Sequence, residues 1–271
     1  MRLLRFLFFL ALLFFICFWV GGGNSIFTEP SGNIPTAVQA KLEQTMPKDF
    51  SLTEITNTFS SYFDRTLRII NLPQAVEKKL NSNTTKYIKL EDMGMPIQQA
   101  IIAVEDNRFY SHAGFDIEAM LRASLVNLQF GQIEEGASTI TQQLVKNLFL
   151  SQDRSMSRKT EEFILAVDME MRYPKEKILE LYLNTIYFGS GFYGIYDASI
   201  GYFGKEPNEL SLPEASMLAG LPNAPSLYSP YVDFQAAKHR QAIVLETMVK
   251  SGYINPSTAQ KIKQEKIWLA K

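Results

Sequence analysis

The hydrophobic residues of the chain form one continuous run at the N-terminus and a series of amphipathic stretches downstream. Leu3 to Val20 is almost wholly apolar and is interrupted only by Arg5. From Gln98 onward, apolar residues recur three and four positions apart, a spacing that predicts amphipathic helices, whereas the sustained alternation typical of strands is scarce. The chain is therefore predicted to be mainly α-helical. The clearest helical stretches are Ile117 to Phe130, Ser138 to Leu150, Arg158 to Arg172 and Lys175 to Ile186.

The N-terminal apolar run has the features of a membrane anchor. Arg2 and Arg5 precede its densest part, as in a helix whose N-terminus faces the cytoplasm, and its length nearly reaches that of a membrane span. A cleaved signal peptide is the alternative. The bulky stretch Phe14 to Trp19 argues against it, because signal peptidase requires small residues near the cleavage site. We expect a single-pass anchor over residues 1–23 in the cytoplasmic (inner) membrane, with the rest of the chain on the outer face.

The remainder divides into two parts. Residues 24–85 begin with a Gly-, Pro-, Ser- and Asn-rich stretch and form a linker and extension to which no role is assigned, and residues 86–271 are expected to be the functional domain. Lys and Arg number 27 against 28 Asp and Glu, so no basic excess indicates a nucleic-acid partner. The single cysteine, Cys17, cannot form an internal disulfide. Any anion-binding site must therefore be local.

Glu105 and Asp106 follow the apolar stretch Ile101 to Val104. A carboxylate at such a boundary loses hydration, which raises its pKa and makes it a better proton acceptor at neutral pH. A helix-end residue or a solvated turn is an equally good interpretation of this segment alone. His112, close behind, can either fix a loop by hydrogen bonding or transfer protons.

A second candidate region combines a hydroxyl-rich helix start with basic residues. Ser138 or Thr139 can cap the following helix and leave its first amides directed at an anion. Four basic residues follow, and they are either a solvated face or a phosphate site. They are Lys146, Arg154, Arg158 and Lys159.

Glu161 and Glu162 lie in the next helical stretch. Glu162 shares a stripe with Leu165, Ala166 and Met169, which weakly favours Glu162 as the inward carboxylate, but spacing alone leaves the choice open. Acids in a first helical turn also commonly serve only the helix dipole.

Taken together and in order, these residues resemble the peptidoglycan glycosyltransferases, glycosyltransferase family 51, which occur alone or as the first domain of bifunctional penicillin-binding proteins. The resemblance covers about Tyr87 to Tyr231. Its motifs are Glu105-Asp106-x-x-Phe109-x-x-His112-x-Gly114, Gly136-Ala137-Ser138-Thr139-Ile140-Thr141-Gln142-Gln143, Arg158-Lys159-x-x-Glu162 and Glu180-x-Tyr182-Leu183-Asn184, followed by Phe188-Gly189, Tyr193-Gly194-Ile195, Tyr202-Phe203-Gly204-Lys205 and Leu218-Ala219-Gly220-Leu221-Pro222.

The resemblance implies a lysozyme-like, mainly helical fold with a membrane-associated apolar subdomain, here drawn from Phe115 to about Glu134. It also implies polymerisation of lipid II into β-1,4-linked glycan strands with inversion and release of undecaprenyl pyrophosphate. Glu105 would be the base, and Glu162 would orient a basic group or hold a divalent cation. The substrate-binding residues that it implies are Asp106, Arg122, Ser138, Gln143, Lys146, Arg154 and Arg158.

The implied cofactor is at most a divalent cation, Mg²⁺ or Mn²⁺, whose ligands are unknown, and no organic cofactor is expected. The implied partners are lipid II, lipid-linked glycan, the cytoplasmic membrane, and transpeptidases or other cell-wall synthesis proteins. No Ser-x-x-Lys tetrapeptide of a serine transpeptidase occurs, so we expect a monofunctional enzyme. The alternatives are a lysozyme-like lytic enzyme, for which the basic cluster has no purpose, and a catalytically silent cell-wall scaffold.

Overall fold

The computed structural model describes residues 72–83, 86–130, 138–150 and 156–270. All of them lie in a compact unit that spans Tyr62–Lys271. Their one strand-like pairing is an isolated antiparallel bridge between Tyr187 and Tyr193, so the predicted mainly helical class is confirmed for this part of the chain. The helices are α1 Leu72–Asn83, α2 Met95–Glu105, α3 Ile117–Phe130, α4 Ile140–Phe149, α5 Met156–Arg172, α6 Lys175–Thr185, α7 Gly194–Phe203, α8 Leu212–Gly220, α9 Pro225–Tyr228, α10 Phe234–Lys250 and α11 Pro256–Gln264.

Several predictions fall outside the described residues. They include the anchor over residues 1–23, most of the extension over 24–85, and Arg154. Among the described helices, none combines the length and the apolar character that crossing a membrane requires.

The four predicted helices are present, with small differences at their ends. The stretch predicted from Ser138 begins at Ile140, because Thr139 is extended (φ −76°, ψ 164°) and serves as the N-cap. The stretch predicted to reach Ile186 ends at Thr185, where Ile186 becomes the extended C-cap. Helix ends are set by such local geometry more than by the hydrophobic period.

One hydrophobic core joins most of these helices. Helices α2, α8 and α10 pack against one another, and α4 packs against α5 and α6. Ile97 and Ile101 of α2 and Leu144 of α4 are fully buried in this core, and Leu72 of α1 belongs to it as well. Because α2 runs through the core and ends at Glu105, this carboxylate emerges where several buried elements meet.

Helix α3 exposes several apolar side chains in its first turns. Ile117 and Leu121 are 60% and 62% exposed, and Met120 is 44% exposed, whereas Ala123 is buried. Adjacent exposed apolar side chains of this kind are typical of a surface that contacts a partner or a lipid phase.

Candidate active site

Glu105 is the last residue of α2, and its two carboxylate oxygens have different surroundings. Gln143 of α4 donates from Nε2 to Glu105 Oε2 at 2.8 Å, and the Tyr182 hydroxyl of α6 donates to Gln143 Oε1 at 3.0 Å. Glu105 Oε1 is buried and accepts no hydrogen bond from the described residues. A carboxylate with one oxygen held by a hydrogen bond and the other without a partner is arranged to accept a proton.

The surroundings of Glu105 also set its protonation. Burial raises the pKa of Glu105, whereas the hydrogen bond from Gln143 and the positive charges of Arg240 and Lys146 oppose this rise. The neighbouring Asp106 adds to it. The raised pKa agrees with the expectation drawn from the preceding apolar stretch.

Asp106 connects the end of α2 to the beginning of α4. Its Oδ2 accepts a hydrogen bond from the backbone N–H of Ile140 at 3.0 Å, and His112 Nε2 lies 3.0 Å from both carboxylate oxygens. The carboxylate is thus fully engaged and buried. Between the two roles left open for His112, this contact favours fixing the loop, and Asp106 holds the first turn of α4 beside Glu105.

The start of α4 is fixed by a reciprocal cap. Thr139 Oγ1 accepts from the Gln142 N–H at 3.2 Å, and Gln142 Oε1 accepts from the Thr139 N–H at 3.0 Å. The Thr139 hydroxyl also donates to the Gly114 carbonyl at 2.7 Å. Gly114 has φ +89°, and a Cβ there would lie 2.9 Å from the Ala166 carbonyl oxygen, so this position requires glycine. One turn later, α4 presents Gln143 to Glu105.

Glu162 is the centre of a second charged group. Its side chain is 2% exposed, and Arg158 Nη1 donates to its Oε2 at 2.9 Å while Lys159 Nζ pairs with its Oε1. Lys159 Nζ also lies 3.5 Å from Ser138 Oγ, next to the cap of α4. Glu161 is buried too, at 8% exposure, so both acids of the pair face inward. Glu162 therefore orients two cations beside the start of α4.

The other predicted site residues are placed as follows. Lys146 is exposed on α4, three residues beyond Gln143, and its charge acts on Glu105. Arg122 has an exposed side chain on α3. Ser138 is exposed, its Oγ lies 3.5 Å from Lys159 Nζ, and it precedes α4, the helix that carries Gln143 and Lys146. Arg154 lies outside the described residues.

Arg240 of α10 belongs to this site but was not among the predicted residues. Its Nε donates to the Gly220 carbonyl at 3.3 Å, its guanidinium lies 5.8 Å from the centre of the Tyr228 ring, and its charge stabilises the Glu105 carboxylate. No pattern in the sequence marks a single arginine more than a hundred residues from Glu105. Tyr182 lies within the motif Glu180-x-Tyr182-Leu183-Asn184, but only the fold shows that its hydroxyl donates to Gln143.

The described carboxylates fit a resident divalent cation poorly. No group of three or more His, Cys, Asp or Glu side chains suited to a metal ion occurs within the described ranges. Asp106 and Glu162 have both oxygens engaged by other groups, so of the three site carboxylates only Glu105 has an oxygen without a partner among the described residues.

Comparison with known proteins identifies similar sequences. A family model described as Transglycosylase matches residues 61–249. Penicillin-binding protein 1A of Aquifex aeolicus is 46% identical over 170 residues, which are 63% of this chain and 23% of that protein. Penicillin-binding protein 1F of Bacillus subtilis is 44% identical over 180 residues, which are 66% of this chain and 25% of that protein. The chain thus spans about a quarter of the length of these relatives.

A crystal structure of penicillin-binding protein 1A from Haemophilus influenzae is 25% identical and covers 69% of this chain and 18% of that one, with a TM-score of 0.41. That score is too low for the likeness to assign a fold.

Proposed function

Because the chain belongs to the transglycosylase family, we propose that it is a peptidoglycan glycosyltransferase with a lysozyme-like helical fold that polymerises lipid II for the bacterial cell wall. The observation that carries the proposal is the Glu105 carboxylate: its buried Oε1 accepts no hydrogen bond from the described residues, while Gln143 holds its Oε2. This geometry supports a general base.

The proposed reaction is an inverting displacement. The 4-hydroxyl of the acceptor sugar attacks the anomeric carbon of the lipid-linked donor and gives its proton to Glu105 Oε1 as the new glycosidic bond forms. The bond between the anomeric carbon and the pyrophosphate oxygen breaks, and undecaprenyl pyrophosphate leaves with the bonding electrons. Gln143 and Tyr182 keep Glu105 in position, and the raised pKa strengthens it as a base.

The leaving pyrophosphate requires positive charge. Arg158 and Lys159, which Glu162 holds beside the start of α4, supply two cations, and Lys146 lies on the same helix as Gln143. We place Glu162 as a positioning residue for these cations, and Asp106 as a positioning residue for α4. Arg122, Ser138 and Arg154 remain proposed substrate contacts from the family resemblance.

A lipid-borne substrate requires the site to lie near a membrane. The exposed apolar side chains Ile117, Met120 and Leu121 of α3 support contact with lipid, and together with an N-terminal anchor they would hold the site at the outer face of the cytoplasmic membrane. Transpeptidases and other cell-wall synthesis proteins are the proposed protein partners.

A divalent cation, Mg²⁺ or Mn²⁺, would have to be held largely by the substrate pyrophosphate, since the carboxylates of Asp106 and Glu162 are engaged.

The test is to incubate the purified full chain with lipid II, with and without chelator, and to analyse the products. The proposal predicts glycan polymer and free undecaprenyl pyrophosphate. Release of fragments from finished peptidoglycan without polymer formation would instead identify a lytic enzyme. Polymer that forms only without chelator would add the cation to the mechanism.

A further inference from the structure

A cavity lies beside the N-terminal end of α10. It has a volume of about 290 Å³ and lies between the first turns of α10 and the segment that follows α11. We call it the C-terminal pocket and define it by Phe234, Lys238, Lys263, Lys266, Ile267 and Trp268. Lys238 and Arg240 are two positions apart, about 200° around a helix, so the pocket and the Glu105 site use different faces of α10.

The amine of Lys238 is the unusual feature of the C-terminal pocket. Its Nζ is buried and has no hydrogen-bond partner among the described residues. Burial lowers the pKa of Lys238, and the negative charge of Glu265 opposes this shift. A buried ammonium with three unused donors is costly unless an acceptor is supplied. The adjoining cavity is where such an acceptor can enter.

The lining of the pocket indicates the kind of acceptor. Three lysines against one acid, Glu265, make the lining positive, although the whole chain has a formal net charge of −1. Lys263 already pairs with Glu246 at 2.8 Å and Lys266 is exposed, which leaves Lys238 as the inner cation of the pocket. Three apolar residues line the same pocket: Phe234 and Ile267 are partly buried, and Trp268 is 77% exposed.

These features favour a singly charged anion that carries an apolar group. One buried ammonium beside the Glu265 carboxylate matches a monoanion better than a dianion such as phosphate, which Glu265 would repel about twice as strongly. The aromatic walls stabilise an apolar group through burial, and the volume suits a small ligand or one or two side chains. We propose that the C-terminal pocket binds a carboxylate attached to an apolar group, with Lys238 as the anion partner and Trp268 and Phe234 as the apolar wall.

The chain offers a clean reporter for this proposal. It has two tryptophans, Trp19 and Trp268, so an ¹⁵N-labelled full-length sample in detergent gives two indole N–H signals. Phenylacetate is the first probe, and an acetylated, amidated Phe-Glu dipeptide presents the same chemistry on a peptide. We expect a saturable shift of the Trp268 signal with at least one of them, with Trp19 as internal reference. Which of the two binds more tightly distinguishes a free acid from a peptide as the source.

The matched variants separate charge from fold. Lys238→Met should weaken binding at least about tenfold, the usual loss for a charge-assisted hydrogen bond, while Lys238→Arg retains it. Lys250→Met, the same change on an exposed lysine of α10, should leave binding within about twofold of wild type. None of these variants should reduce lipid II polymerisation, so a failure here is distinct from a failure of the proposed function.

Three results would overturn the proposal. They are no saturable Trp268 shift with either carboxylate, unchanged affinity in a folded Lys238→Met variant, and an equal response to phenylacetamide or inorganic phosphate.

Discussion

The hydrogen bonds that join Asp106 to His112 and to the start of α4 predict how much stability is lost when the Asp106 carboxylate is replaced by an amide. The carboxylate oxygens of Asp106 accept, so His112 Nε2, 3.0 Å from both of them, is the ring nitrogen that donates, and Nδ1 is the other ring nitrogen. That Nδ1 is buried and has no hydrogen-bond partner among the described residues. Asp106→Asn would keep an oxygen for the Ile140 N–H but turn an NH₂ group toward His112.

A neutral imidazole then accepts at Nε2 and carries its proton on Nδ1, for which none of the described residues offers an acceptor. One buried unsatisfied N–H, together with the loss of charge-assisted bonds, costs about 2 kcal/mol or more. For a domain of this size, that loss lowers Tm by about 4–8 °C. The loosened start of α4 also displaces Gln143 from Glu105, so the polymerisation rate should fall.

Thermal unfolding followed by circular dichroism measures this effect. Asp92→Asn, the same substitution at an exposed position, should change Tm by less than about 1 °C. In a His112→Leu background, Asp106→Asn should cost less, because the histidine penalty is absent. Two results would refute the proposal that Asp106 keeps the His112 proton on Nε2. They are an Asp106→Asn variant with the wild-type Tm, and an equal loss of Tm in the wild-type and His112→Leu backgrounds.

Three further predictions concern other parts of the structure. Arg240→Gln removes a positive charge that lowers the pKa of Glu105, so the acidic limb of kcat/KM should move to higher pH; an unmoved limb would exclude Arg240 from the site. Thr139→Ala removes the reciprocal cap of α4 and should lower the free energy of unfolding, measured by chemical denaturation, by about 1–2 kcal/mol. Thr139→Ser should retain most of the wild-type stability, and equal stability of the two variants would contradict this role of Thr139. Lys238→Met removes a buried ammonium whose pKa is lowered by folding, so it should raise Tm at pH 7. The gain should shrink as the pH approaches the ordinary pKa of lysine, and a lower Tm at pH 7 would contradict the cost of burying this amine.

The helices were predictable because their signal is local. The prediction for Ile117–Phe130 has both ends correct, and α4 begins two residues later and ends one residue earlier than predicted, where Thr139 and Leu150 are its caps. Hydrophobic spacing repeats along one segment, so it shows which residues form a helix. It cannot show what covers that helix. The exposed apolar side of α3 and the burial of both Glu161 and Glu162 are consequences of tertiary packing.

The site was predictable only where its residues lie close together along the chain. Glu105, Gln143 and Glu162 lie in dense motifs, and the structure links Glu105 to Gln143 directly. Arg240 lies in α10, far along the chain from Glu105, and acts on the same carboxylate through its positive charge, so no local pattern could indicate it. The unpaired Lys238 is a similar case, since an isolated lysine in an amphipathic helix is ordinarily solvated.

The most direct test of the central claim is lipid II polymerisation by Glu105→Gln beside Glu91→Gln, an exposed control. The glutamine variant keeps the shape and the contact with Gln143 but cannot take a proton at Oε1. Burial raises the pKa of Glu105, so the carboxylate destabilises the fold above its ordinary pKa, and Glu105→Gln should melt at or above the wild-type Tm at pH 7. We expect a folded Glu105→Gln variant whose polymerisation rate falls at least about a hundredfold, and an unchanged rate for Glu91→Gln. A folded Glu105→Gln variant that polymerises lipid II at the wild-type rate would contradict this expectation.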